Sequence, residues 1–218
     1  MSEVSMSASS RSVAGVGGIA RAARMLGAAL FILVAGHAAE ARSADDQAAE
    51  FVADLGREAI TLLTEQERST DERRADFDRI LTSYFDLDSI SRFVLGRHWR
   101  VATEAQRDEF RTLFRQFVIK AYAERLSAYS GEEFTVKGAR DDNGKGYIVE
   151  SRIERQNGPP VRVDWRLRER DEGLRIVDVV VEGVSMAITQ RADFNAAIAA
   201  EGGKVDGLLK RLRAQTSG

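Results

Sequence analysis

The chain contains no cysteine, only two prolines and only two histidines among its 218 residues. Without cysteine there can be no disulfide and no lipid-modified N-terminal cysteine, so packing alone must stabilise the fold. A single histidine beyond residue 40 and no thiol argue against a metal centre. The sequence also has no phosphate-binding loop and no nucleophile-elbow motif. These absences leave few groups with which to catalyse a reaction.

An apolar run over residues 25–36 follows Arg21 and Arg24 near the start of the chain. The run is shorter than the roughly 20 residues that a bilayer-spanning helix needs, and the small residues Ala39 and Ala41 follow it. We therefore predict a cleaved signal peptide over residues 1–41, with an uncleaved N-terminal anchor as the alternative. The same pattern predicts one exported domain over residues 42–215 and a frayed tail over 216–218.

The charge balance gives no sign of a nucleic-acid partner. The formal net charge of the whole chain is −2. The segment before Glu40 holds one acidic and three basic residues, so the remainder is slightly more acidic than the whole. A nucleic-acid-binding domain normally carries a basic surface, and the composition therefore argues against that class.

The first half of the sequence has apolar residues at helical spacing. Start and stop signals divide it into four predicted helices. These are a helix over about residues 45–67, one capped by Thr70, a short one capped by Asp86 or Asp88 and stopped by Gly96, and a long one from the Thr103–Gln106 capping box to about Ala128.

The second half changes to a period of two. Val163, Trp165 and Leu167 alternate with arginines and an aspartate, and short turns separate four such segments between Phe134 and Val181. The pattern predicts an α+β fold with a four-stranded antiparallel meander. One face of its middle strands is charged and the other is apolar, so the helices should cover the apolar face. Helical spacing returns after Gly183.

Two residues, His98 and Asp178, are candidates for a catalytic role. His98 lies between two cations in the segment Gly96–Arg100, without a carboxylate nearby in sequence to orient it, which favours a structural role. Asp178 is the one carboxylate within an apolar strand. It could pair structurally with Arg166 or Arg175, or it could act as the acid/base of an enzyme acting on a hydrophobic small molecule.

The residues alone favour a carrier of an apolar ligand over an enzyme. The predicted domain is exported and poor in reactive groups, and it combines an apolar sheet face with a broad apolar stripe on the long helix. A structural or chaperone-like module without any ligand is a third alternative.

The most recognisable segments are Tyr84–Asp88, Val94–Arg100, Phe110 with Leu113 and Phe114, Tyr129–Gly131, and Ile176–Met186 followed by Arg191 and Phe194. These segments resemble the MlaC-type phospholipid-binding proteins of the Gram-negative periplasm, also called the toluene-tolerance family. The resemblance covers roughly residues 48–212. The chain is also similar to the variant of this family found in hopanoid-producing bacteria. Trp99 stands where many members carry Tyr or Phe, which leaves the identity of the ligand open.

The resemblance implies the substrate-binding component of an ABC-type lipid transport system, with no catalysis and no cofactor. Such proteins carry phospholipid through the periplasm and contribute to the lipid asymmetry of the outer membrane. The implied partners are an inner-membrane permease complex bearing an MCE-domain protein and an outer-membrane lipoprotein–porin complex. The resemblance leaves the lipid species and the direction of transport open.

On this hypothesis the acyl chains should lie between the apolar sheet face and the long helix, with the head group in solvent at the mouth. The arginines on the outer sheet face (Arg152, Arg162, Arg166 and Arg168) are either a docking surface or an ordinary solvated face. The predicted acyl-chain pocket consists of Leu113, Phe117, Tyr122, Tyr147, Val149, Val163, Trp165, Val179, Val181 and Met186.

Overall fold

The computed structural model describes residues 43–64, 69–126 and 131–217, with side chains throughout these ranges except at 122–126. The predicted signal peptide over 1–41 and the last residue of the predicted tail lie outside the described residues. Within them, no helix has the combination of length and hydrophobicity that crossing a bilayer requires.

Helices occupy most of the described chain before residue 127 and after residue 185. The predicted helices are all present, and a short helix between the third and the longest was not predicted. The seven helices of the described residues are α1 (Ala44–Thr64), α2 (Thr70–Tyr84), α3 (Leu87–Leu95), α4 (His98–Val101), α5 (Glu104–Leu126), α6 (Met186–Ala200) and α7 (Val205–Thr216).

The predicted antiparallel meander is present, but it has five strands rather than four. The additional strand is only two residues long, too short to produce a recognisable alternation in the sequence. Neighbouring strands in the sheet are also consecutive along the chain. The strands are β1 (Glu133–Asp141), β2 (Tyr147–Glu154), β3 (Val161–Arg170), β4 (Gly173–Val181) and β5 (Val184–Ser185).

Local capping determines where the helices begin and end. Helix α2 is capped by Ser69, which forms a reciprocal capping box with Glu72, so the prediction of Thr70 as the cap was wrong by one residue. Asp86 caps α3 by accepting a hydrogen bond from the Ser89 backbone at 2.8 Å. Gly96 ends α3 with a φ of 59°, a left-handed conformation that favours glycine.

The register places apolar and charged side chains on opposite faces of the sheet. Val149 lies opposite Trp165, and Trp165 lies opposite Val179, so these three share one face. Arg166 lies opposite Asp178 on the other face. Because side chains alternate along a strand, this register determines which residues the helices can cover.

Two apolar clusters stabilise the described residues. One consists of helices α3 to α7 and includes Phe110 and Phe194, whose rings meet edge to face at 5.7 Å. The other joins the apolar sheet face to α1 and α2, and its fully buried members include Val52, Val149 and Ile176. In the described residues the two clusters share no member.

Helix α1 approaches the sheet closely at Gly56. A Cβ atom at this position would overlap the Phe134 ring, so the glycine permits the contact. Phe134 in turn meets Trp165 edge to face, with ring centroids 6.2 Å apart. This contact fixes the helix against the first strand and the aromatic centre of the sheet.

Replacing Gly56 with valine should therefore destabilise the protein by about 2 kcal/mol, because its Cβ atom and both methyl groups must displace the Phe134 ring. Gly56→Ala should cost less, because alanine places only its Cβ atom against the ring and has a better helix propensity than glycine by about 1 kcal/mol. Denaturant unfolding followed by circular dichroism measures both. A Gly56→Val variant as stable as the parent would contradict the close contact.

Candidate functional site

The apolar face of the sheet gathers four of the predicted pocket residues. Tyr147, Val149, Trp165 and Val179 all belong to the cluster between the sheet and α1. Val149 is fully buried, whereas the other three are half-buried. The phenol of Tyr147 reaches the sheet margin, where its hydroxyl bonds to Glu169 at 3.0 Å. The structure thus brings these four sheet residues together on one face.

A buried hydroxyl organises the centre of this face. The indole N–H of Trp165 donates to Ser151 Oγ at 2.9 Å, and Ser151 Oγ donates to the Val163 carbonyl at 2.8 Å. Ser151 is only 1% exposed, so both polar groups need these partners. The relay holds the indole against an otherwise apolar surface.

Burial decreases along α1, which packs on this surface, and along α5, which packs in the helical cluster. The first half of α1 is buried through Val52 and Leu55, whereas Leu62 in its second half is half-buried. Helix α5 changes in the same way, from Phe110 to Phe117. Apolar side chains that remain partly accessible on inward-facing positions are typical of a groove or cavity. The sheet has half-buried apolar residues of the same kind at Ile153, Val161, Val179 and Val181.

The predicted helix residues lie in a different environment from the predicted sheet residues. Leu113 belongs to the helical cluster, and Phe117 packs on that cluster with its ring 5.9 Å from that of Phe194. Neither belongs to the sheet cluster. The described apolar side chains of α5 therefore pack with α6, and none of them belongs to the sheet cluster.

Val163, Val181 and Met186 lie near the end of β4. Val163 is buried and lies opposite Val181, which is half-buried. Met186 is half-buried as the first residue of α6. Tyr122 falls within the backbone of α5, but its side chain lies outside the described residues.

The list of predicted residues omitted the wall that α1 contributes. Phe51 and Leu62 pack against the sheet cluster, and so does Phe134 on β1. The helical spacing of α1 predicted an apolar face, but spacing does not show which partner a face contacts. Gly56, a glycine within the helical pattern of α1, was the sequence feature that could have indicated the contact with the sheet, because such a glycine often marks tight packing.

Asp178 does not face the apolar surface. Its carboxylate accepts hydrogen bonds from Ser185 Oγ at 2.6 Å and from the Ala187 backbone N–H at 3.0 Å, and it lies 3.9 Å from Arg166. It therefore fixes the first turn of α6 to the charged side of β4. The structural interpretation of Asp178 agrees with this geometry, and the enzyme alternative is not favoured.

His98 is a buried residue of the helical region. Its side chain is 8% exposed, and Arg97 Nε lies 3.4 Å from its Nε2 atom. Burial, and then the charge of Arg97, lower the pKa of His98 below its usual value, and a hydrogen bond with Asn195 opposes this shift. Among the described residues there is no group of three or more acidic, histidine or cysteine side chains suited to a metal ion.

Comparison with known proteins identifies relatives of the chain. Residues 54–214 match the family model described as MlaC protein. The chain is 27% identical over 130 residues to the toluene tolerance protein Ttg2D of Pseudomonas putida, covering 59% of this chain and 60% of that protein. It is 26% identical over 110 residues to the intermembrane phospholipid transport system binding protein MlaC of Haemophilus influenzae, covering 49% and 51%. The chain thus matches about half to three fifths of the length of these curated relatives.

A solved structure shares the fold. It is the phospholipid-binding protein from Ralstonia solanacearum, determined in complex with a phospholipid. The two chains superpose with a TM-score of 0.69 at 22% sequence identity, covering 81% of this chain and 98% of the other. This match supports the α+β architecture described above.

The relay through Ser151 can be tested by removing its members. Ser151→Ala should lower the free energy of unfolding by about 1–3 kcal/mol, because the Trp165 indole loses its acceptor. The double variant Ser151→Ala with Trp165→Phe should lose less stability than the sum of the losses in the two single variants, because it contains no unpaired indole donor. Fully additive losses in denaturant unfolding would contradict the relay.

The buried His98 predicts a loss of stability on acidification. Because its folded-state pKa is lowered, the unfolded chain binds a proton first as pH falls through about 6.5. Between pH 7.5 and 5.5 the parent should lose stability that His98→Gln does not lose. Equal losses in the two proteins, measured by denaturant unfolding at both pH values, would contradict the neutral buried histidine.

Proposed function

This chain belongs to the MlaC protein family, and on that premise we propose that it is a periplasmic phospholipid carrier, the substrate-binding component of an ABC-type lipid transport system. The observation that carries the proposal is the half-buried apolar surface that the sheet shares with the second half of α1. The names of the relatives support it, since they include a phospholipid transport binding protein and a phospholipid-binding protein.

A carrier is needed because phospholipid crosses water poorly. Exposing two acyl chains of roughly 16 carbons each costs about 25 kcal/mol, at about 0.8 kcal/mol per methylene. Binding must therefore replace water with an apolar lining of comparable extent. On this proposal the acyl chains occupy the space between the sheet and the helices, next to Val163, Trp165 and Val181.

The chemistry of the lining suits acyl chains rather than head groups. The polar groups at the centre of the apolar face are the Trp165 indole N–H and the Ser151 hydroxyl, and these already form a hydrogen bond with each other. A charged head group would therefore remain at the mouth in solvent, so selectivity among head groups should be weak.

We further propose that the mature domain acts in the periplasm after removal of residues 1–41. Its partners on this proposal are the inner-membrane permease complex with an MCE-domain protein and the outer-membrane lipoprotein–porin complex. A lipid that is held mainly by apolar contact leaves slowly, so release should require one of these partners. The proposal includes no catalytic step, no cofactor and no nucleic acid.

Filling the proposed pocket should lower the amount of bound lipid. Val163→Trp adds an indole to the buried centre of the apolar face, and Val181→Trp adds one beside it on β4. Each variant should purify with several-fold less phospholipid than the parent, measured by mass spectrometry after lipid extraction. Val101→Trp is the matched control, because Val101 is 75% exposed on α4, and its lipid content should not change.

Circular dichroism separates the outcomes of this experiment. Folded variants with unchanged lipid content would contradict the placement of the acyl chains. Loss of folding in both pocket variants would show that the interior has no room for an added indole, and would also contradict the proposal.

A further inference from the structure

Four large apolar side chains are well exposed in the described part of the chain, and they lie in two short segments. Phe93 and Val101 belong to α3 and α4, and Val184 and Ile188 belong to β5 and α6. Their exposed fractions are 41%, 75%, 53% and 61% in that order. Scattered exposed apolar residues need no explanation, but their restriction to two segments does.

The same two segments are exclusively basic. Residues 89–103 and 184–192 contain Arg92, Arg97, Arg100 and Arg191 and no acidic residue, although the chain as a whole is slightly acidic. Within the described ranges, none of these four guanidinium groups forms an ion pair with a carboxylate. The segments therefore present uncompensated positive charge beside exposed apolar side chains.

Contacts between α3 and α6 join the two segments into one surface. The Arg191 guanidinium lies over the Phe93 ring, 5.2 Å from its centroid. A Cβ atom on Gly96 would lie 2.8 Å from Arg191 Nε, so this side chain also rests on the end of α3 next to Arg97. Ile188 lies one turn before Arg191 on α6. We call Phe93, Arg97, Ile188 and Arg191 the basic apolar patch.

The outer face of the sheet, the other candidate for docking, is balanced in charge. Arg162 lies 2.8 Å from Asp164 and 3.5 Å from Glu150. Arg168 lies 2.8 Å from Asp142. With Arg166 near Asp178, three of the four arginines singled out on this face have carboxylate partners. A partner that docked there would have to compete with these internal pairs.

We propose that the basic apolar patch is the docking surface for an acidic segment of a partner protein, in which carboxylates surround an apolar side chain. The inference rests on the proposed carrier function, since a carrier must meet the proteins that load and unload it. Guanidinium groups bind carboxylates through two parallel hydrogen bonds, and exposed aromatic residues beside arginine are typical of interface centres. Because Arg191 covers one face of the Phe93 ring, the ring is poorly placed to enter a bilayer.

Binding of the lipid-loaded mature domain to the purified periplasmic domain of the MCE protein from the same transport system tests the proposal. The double variant Arg97→Glu with Arg191→Glu should raise the dissociation constant at least about tenfold. Ile188→Ser should raise it about threefold or more. Affinity of the parent should fall with rising salt. Arg152→Glu, a charge reversal on the outer sheet face, is the matched control and should bind as the parent does.

Thermal unfolding of each variant and its lipid content are measured in parallel. Arg97→Glu alone, whose side chain is exposed, keeps the test valid if the change at Arg191 impairs folding. Unchanged affinity of folded patch variants would overturn the proposal, and so would an equal loss in Arg152→Glu.

Two further outcomes would also overturn the proposal. One is a lipid-loaded parent that does not bind the MCE domain, which would leave the carrier function intact. The other is patch-dependent binding to phosphatidylcholine vesicles containing phosphatidylglycerol without binding to the protein, which would indicate a membrane surface instead.

Discussion

The separation of apolar and charged side chains onto opposite faces of strands β2 to β4 is the constraint on which the rest of the structure depends. Because side chains alternate along a strand, a shift of one residue would place Trp165 in solvent and Arg166 against the helices. The Trp165–Ser151 relay and the close contact of Gly56 with Phe134 both require the observed register. The apolar surface proposed to hold lipid is a consequence of the same alternation.

Much of the fold could be predicted from the sequence because local signals agree with the final packing. The capping box at Thr103 and the stop at Gly96 marked helix ends that tertiary contacts did not change. The cap of α2 was misplaced by one residue because Ser69 and Thr70 are both good capping residues. The two-residue strand β5 depends on hydrogen bonds to β4, which local patterning cannot reveal.

The side chains that share a surface were predictable on the sheet but less so on the helices. Alternation assigns each strand residue to one of two faces, whereas the broad stripe of α5 only shows that the helix is amphipathic. Leu113 and Phe117 prove to contact α6 and its neighbours, and the wall opposite the sheet comes largely from α1. The role of Asp178 likewise depended on the strand face, which places it beside the start of α6 rather than against Trp165.

Native mass spectrometry of the mature domain from a periplasmic fraction, combined with lipid extraction, tests the central claim most directly. The carrier account predicts one diacyl phospholipid bound to each chain. A lipid-free protein whose interior is fully packed would contradict it.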